Sequence, residues 1–255
     1  MQKNQAKIMI LAPGRSGSTS LLKVLDCHPA IKGLEEPFHK VGGKERVGHE
    51  YYIRFVHDAD SFYSTVDQIF KDYNCIKHMM HDVPVAYHQG VFKRNDLRII
   101  FLYRKNTLRK SMSQFISRQT AVWAGGDQSK SKIFNHTFEH IPVRKIKKRM
   151  ERQLARESDY RGMLDDLGVE YFDLPHENLY GERKDFQCRT RVVEEILDFC
   201  GYDKEALFQE PMMSRVKAWL EPKMKLNSED SYRLIPNIDE IEEQCGSDKT
   251  GYLFR

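Results

Sequence analysis

Residues 7–12, KIMILA, are a short apolar run that stops at Pro13-Gly14, as a buried strand does when it enters a turn. Polar residues follow, and Leu21, Leu22 and Leu25 then recur at helical spacing within 18–27 until His28-Pro29 ends the pattern. The order here is strand, Gly-containing turn, helix, and strands and helices go on alternating along the chain, with no internal repeat. Residues 60–73 read as a helix and 74–80 as a second strand. Residues 96–103, DLRIIFLY, form the clearest strand, a continuous apolar run flanked by charge as in a central parallel sheet. A helix is predicted over 106–120, a polar loop over 125–131 and a long helix over 138–167. A short strand at 169–172 and a helix over 189–200, closed by Gly201, complete the pattern. Strands alternating with helices predict a three-layer α/β fold with a central, mainly parallel sheet flanked by helices, in a single domain over 1–255. Ligands of such sheets bind beyond the carboxyl ends of the strands, so the segments after 12 and after 103 are expected on one rim.

The 255 residues are 40% apolar and 31% charged, with a net charge of +4, a globular composition with a mild preference for anionic ligands and too small an excess to argue for nucleic acid. The basic cluster Arg144, Lys145, Lys147, Lys148, Arg149 and Arg152 reads as a solvated helix face, with Glu151 and Glu157 available as intrahelical partners. No run approaches the length of a membrane span, and the apolar run at 8–12 is too short for a signal sequence. The cysteines Cys27, Cys75, Cys188, Cys200 and Cys245 are scattered and odd in number, and His49, His57 and His88 lack ligand spacing. Neither a metal site nor a disulfide framework is expected, and a cytoplasmic location follows.

Candidate chemistry gathers at the first turn. In Pro13-Gly14-Arg15-Ser16-Gly17-Ser18-Thr19, amides at a helix start meet three hydroxyls and a guanidinium, a combination that holds a phosphate. A nucleoside-triphosphate loop would end Gly-Lys-[Ser/Thr]; this one ends Gly-Ser-Thr, which argues against a kinase-like phosphotransferase. Arg104, at the end of the 96–103 strand, and Ser111 or Ser113, on the next helix, offer a second anion grip. Two grips on one rim suit a nucleoside with phosphates at both ends.

This arrangement resembles the sulfotransferases that use 3'-phosphoadenosine 5'-phosphosulfate (PAPS), a family with a P-loop-like fold. The run from Arg104 through Ser113, Gln119 and Thr120 to Trp123, with VEYFDLPHENLYG at 169–181, VVEEILDFCG at 192–201 and YRLIPNIDE at 232–240, is most similar to the trehalose sulfotransferase-like branch. The resemblance implies that Arg15, Ser16, Gly17, Ser18 and Thr19 hold the donor's 5' side. Arg104 with Ser113 or Ser111 would hold its 3'-phosphate, and Lys223 and Lys225 would cap the nucleotide. It implies a carbohydrate, glycolipid or small-metabolite acceptor and allows a homodimer. Arg15 would stabilise the leaving phosphate. Glu36, in Glu35-Glu36-Pro37-Phe38, matches the position of the family's catalytic carboxylate, and two adjacent carboxylates are expected to raise each other's pKa. In Ile76-Lys77-His78-Met79-Met80-His81, either His81 or His78 is an alternative base, and Lys77 is placed to touch sulfuryl oxygens. Glu35, Gln119, Thr120 and Trp123 could line the acceptor pocket, with core packing as the other reading of Trp123. A catalytically silent nucleotide- or glycan-binding protein remains the competing reading.

Overall fold

The computed structural model describes residues 6–39, 52–123, 127–181, 184–221 and 228–254. They gather into two compact units, residues up to 103 with 157–220, and 104–156 with 221 onward.

The first unit is built on a five-stranded parallel sheet, β1 (Lys7–Ala12), β2 (Gly33–Glu35), β3 (Cys75–Met79), β4 (Leu97–Tyr103) and β5 (Tyr171–Pro175), in the order β2-β3-β1-β4-β5. Period-two alternation divides the side chains between two faces. Ile8, Ile10 and Ala12 of β1, with Ile100 and Leu102 of β4, pack beneath helices α1 (Ser18–Leu25), α8 (Phe186–Cys200) and α9 (Met212–Leu220). Met9, Leu11, Ile99 and Phe101 face the other way, onto α2 (Ala59–Asp72), the short α3 (Gln89–Phe92) and the end of α6 (Val143–Asp166), through Phe62, Val66, Phe92, Tyr160 and Leu164. Both faces are covered, which is why β1 and β4 carry continuous apolar runs. The expected three-layer α/β fold is the observed one.

From β1 the chain passes over β3 to the edge strand β2 and returns to β3. It then crosses over β1 to β4 and β5. The connections leaving β1 and β3 therefore part in opposite directions, and the crevice between their carboxyl ends is where such sheets bind ligands. The backbone ties the two turns together there, Met80 N–H donating to the Ala12 carbonyl at 3.0 Å.

The second unit contains α4 (Thr107–Thr120), α5 (Asp127–Phe134), the first part of α6, α10 (Glu229–Arg233) and α11 (Ile238–Cys245) around its own core of Leu108, Met112, Ile116, Ile133, Ile146, Ile235 and Ile241. Two expectations change in this unit. The predicted loop over 125–131 is helical from residue 127; α5 needs one inward residue, fully buried Ile133, and such a helix leaves no apolar period to read. The long helix expected from 138 starts at Val143, because Pro142 cannot continue a helix from upstream, and Phe138 and Ile141 reach the core from irregular backbone instead. In the first unit, β5 lies two residues later than the predicted start of 169, its register fixed by pairing of Tyr171 with Ile99. Among the described residues no helix is long and apolar enough to cross a membrane.

Candidate anion and transfer site

The loop after β1 has an unusual backbone. Arg15 has φ 66° and Gly17 has φ 86°, both in the left-handed region, so the chain folds tightly before α1 begins at Ser18. An L side chain at 15 costs strain that a regular turn would avoid, and such strain tends to be retained where a residue must be aimed. Gly17 has a second constraint: a Cβ there would lie 2.7 Å from Tyr180 Cε2 and 3.0 Å from His176 Nδ1. These two residues of α7 (His176–Tyr180) clamp the loop from outside. His176 Nδ1 bonds the Ser16 carbonyl at 2.8 Å, and the Tyr180 hydroxyl donates to the Gly17 carbonyl at 3.4 Å. Burial pushes the Tyr180 pKa up, so the phenol stays protonated and able to donate. With the Ser16 and Gly17 carbonyls engaged, the latter also accepting the Leu21 N–H at 3.1 Å, the start of α1 presents N–H groups.

The loop's hydroxyls divide their duties. Ser16 is fully buried and donates to the Pro13 carbonyl at 2.8 Å, bracing the turn from within, and Ser18 is buried at the helix start. Thr19 donates to Glu35 Oε1 at 2.8 Å. It also accepts from the Lys77 ammonium at 2.5 Å. Lys77 further donates to Glu35 Oε1 at 3.1 Å and to Glu36 Oε1 at 2.7 Å. The Lys77 side chain is only 3% exposed, whereas Glu35 and Glu36 keep 23% and 17%. A buried ammonium requires such partners, and strand alternation explains the geometry: Lys77 points to the α1 face of the sheet and His78 to the other.

The expectation that the neighbouring carboxylates raise each other's pKa is corrected for Glu35. Burial pushes its carboxyl up, but the Lys77 charge, the Thr19 hydroxyl and a more distant Lys23 outweigh that, and the carboxyl is held below the ordinary range. Glu36 sits in the turn after β2 at φ 48°, with its N–H donating to the Lys77 carbonyl at 3.1 Å. Its Oε1 accepts from Lys77, while Oε2 has no hydrogen bond among the described residues.

The two candidate histidines part company. His78 is fully buried between Phe38, Phe62 and His88, its Nε2 2.7 Å from His88 Nε2, and burial holds its pKa well below the usual value. It is a core residue rather than one open to an acceptor. His81 is on the surface of the turn after β3, with Nε2 3.7 Å from Asp82 Oδ1. No protein-family model and no curated protein matches the chain.

In the second unit, Arg104 directly follows β4 in sequence, while Ser111 and Ser113 are buried on α4. Ser111 donates to Gln153 Oε1 at 3.4 Å. Gln119 accepts from the Glu139 N–H at 3.0 Å, and Thr120 donates back to the Ile116 carbonyl at 2.8 Å, so both have structural duties at the end of α4. Trp123 is 50% exposed and does not belong to the core. Lys223 and Lys225 lie outside the described residues. Sequence reasoning missed His176, Tyr180 and the His39–Asp82 pair, in which His39 Nδ1 is 2.8 Å from Asp82 Oδ1. HENLY at 176–180 was visible as a motif, but nothing local ties it to a loop 160 residues away.

Proposed function

We propose that the chain is a sulfotransferase that moves a sulfuryl group from PAPS to a hydroxyl of a carbohydrate, glycolipid or small metabolite. The observation that carries this reading is the linkage Thr19–Lys77–Glu36, which fastens a partly exposed carboxylate to the first turn of α1. A phosphate cradle alone suits many nucleotides. A cradle without the Gly-Lys of triphosphate loops, with a carboxylate held beside its helix, suits transfer of a group to a hydroxyl.

In this reading Arg15 and the N–H groups from Gly17 to Thr19 bind the donor's 5'-phosphate. The acceptor oxygen forms a new bond to sulfur as the bond between sulfur and the phosphate oxygen breaks. The electron pair leaves with the phosphate and is stabilised by Arg15. The acceptor's proton passes to Glu36 Oε2, while Lys77 holds Oε1 and so fixes the carboxylate's direction.

Calorimetry with 3',5'-phosphoadenosine (PAP) tests the donor assignment. Binding to the folded chain is expected, and absence of binding at high micromolar PAP overturns it; binding of ATP with Mg²⁺ instead supports the phosphotransferase reading. Glu36→Gln is expected to lower turnover about 10²- to 10⁴-fold while leaving PAP affinity within a few fold. Unchanged turnover removes Glu36 as the base.

A further inference from the structure

At the carboxyl ends of β2 and β3, three potential metal ligands converge from two turns. His39 follows Glu36 by three residues, its N–H donating to the Glu36 carbonyl at 3.1 Å, and Asp82 closes the turn after β3, its N–H donating to the Met79 carbonyl at 3.0 Å. One ligand atom from each of His39, His81 and Asp82 lies within 4.8 Å of the others. His39 Nδ1 is 2.8 Å and His81 Nε2 3.7 Å from the same oxygen, Asp82 Oδ1. The two rings lie edge to face, 5.6 Å apart at 76°.

A hydrogen-bonded His–Asp pair would account for Oδ1 but not for the rest of the carboxylate. The Asp82 side chain is 3% exposed, and its Oδ2 is buried with no hydrogen-bond partner among the described residues. A buried carboxylate oxygen without a donor is costly unless a cation serves it.

We propose that His39, His81 and Asp82 bind a divalent transition-metal ion of the zinc type. Two imidazoles and one carboxylate are a borderline-soft set that suits Zn²⁺ or Co²⁺ rather than Mg²⁺ or Ca²⁺. Three protein ligands leave a fourth position for water or an exogenous oxygen. Ligands about 2.0–2.2 Å from a tetrahedral ion lie about 3.3–3.6 Å from one another, so the cluster needs side-chain movements of about 1 Å. Both rings are partly exposed, at 32% and 37%. The site bridges the turn that carries Glu36 to the turn after β3, and its occupancy would fix the former. It stands apart from the donor assignment, since its residues do not include those of the phosphate loop.

The test is Zn²⁺ calorimetry on the intact, chelator-treated chain, with visible absorption of the Co²⁺ form as a second readout and PAP calorimetry run separately on the same sample. One equivalent of Zn²⁺ is expected, with intense Co²⁺ bands of four- or five-coordinate geometry that vanish on adding Zn²⁺. His39→Ala and His81→Ala are each expected to weaken binding at least about 10-fold, and His140→Ala, an exposed histidine elsewhere, to leave it unchanged. His81 is on the surface, so its variant keeps the test valid if Asp82→Asn fails to fold. No stoichiometric binding, or binding that survives His39→Ala and His81→Ala unchanged, overturns the proposal whatever the PAP result.

Discussion

Replacing Lys77 by Met isolates what its ammonium does, because the thioether chain retains most of the buried hydrocarbon volume and only the charge and donors are lost. The ammonium donates to Glu35 and Glu36 at 3.1 and 2.7 Å and to Thr19 at 2.5 Å. Hydrogen bonds to charged groups contribute about 1.5–3 kcal/mol each, and water reaching the 23% and 17% exposed carboxylates recovers part of that. The expected loss at pH 7 is about 2–4 kcal/mol. The pH dependence is the sharper signature. Glu35's folded pKa lies below the ordinary 4.5, so its stabilisation is complete above that value and is lost as pH falls through the folded one. In Lys77→Met, burial acts on Glu35 without the ammonium and pushes its carboxyl up, so the variant takes up a proton at higher pH than the parent. The gap between the two proteins should therefore be widest at neutral pH and narrow as pH falls through the variant's raised Glu35 value toward the parent's lowered one. Urea unfolding at pH 7 and pH 4, with Lys71→Met as a surface control, measures it. A gap under about 1 kcal/mol at pH 7, or one unchanged at pH 4, refutes the charge coupling.

Arg15→Gln is expected to weaken PAP binding about 10- to 100-fold by calorimetry, the equivalent of one lost charge-assisted contact, while far-ultraviolet circular dichroism stays unchanged. Gly17→Ala should destabilise the protein by about 2–4 kcal/mol in urea, from left-handed backbone strain plus the collision with Tyr180; an unchanged midpoint would refute that packing. Burial lowers the His88 pKa to about 4, with bonds to the Val85 and Pro84 carbonyls opposing. The unfolded chain then binds the extra proton first, and stability should fall by about 3 kcal/mol as pH drops from 6.5 to 4. In His88→Phe that decline should shrink, although the protein starts less stable at pH 7 because His78 loses its partner.

Much of the fold is encoded locally. The KIMILA run and its Pro-Gly stop define β1 at Lys7–Ala12 because a strand buried on both faces must be apolar throughout and must end where proline removes a donor. The absence of Gly-Lys and the presence of Arg15 are likewise facts of local sequence, which is why the loop reads as a candidate anion cradle from the sequence alone. Short or polar elements escaped: β2 has three residues, and α5 has a single apolar anchor, too little for either period to show.

The site's working connections belong to the tertiary structure alone. Lys77 lies within CIKHM, where nothing local distinguishes a strand-end surface lysine from one buried against Thr19, Glu35 and Glu36. That choice follows from the crossover that sets β3 between β1 and β2, together with the alternation that turns 77 one way and 78 the other. His176 and Tyr180 reach the loop across 160 and 163 residues, and Asp82 meets His39 across 43. Periodicity tells which face of an element is buried. It cannot tell which distant polar atom will wait there, because that partner is chosen by strand order and by the requirement that every buried charge find a counterpart.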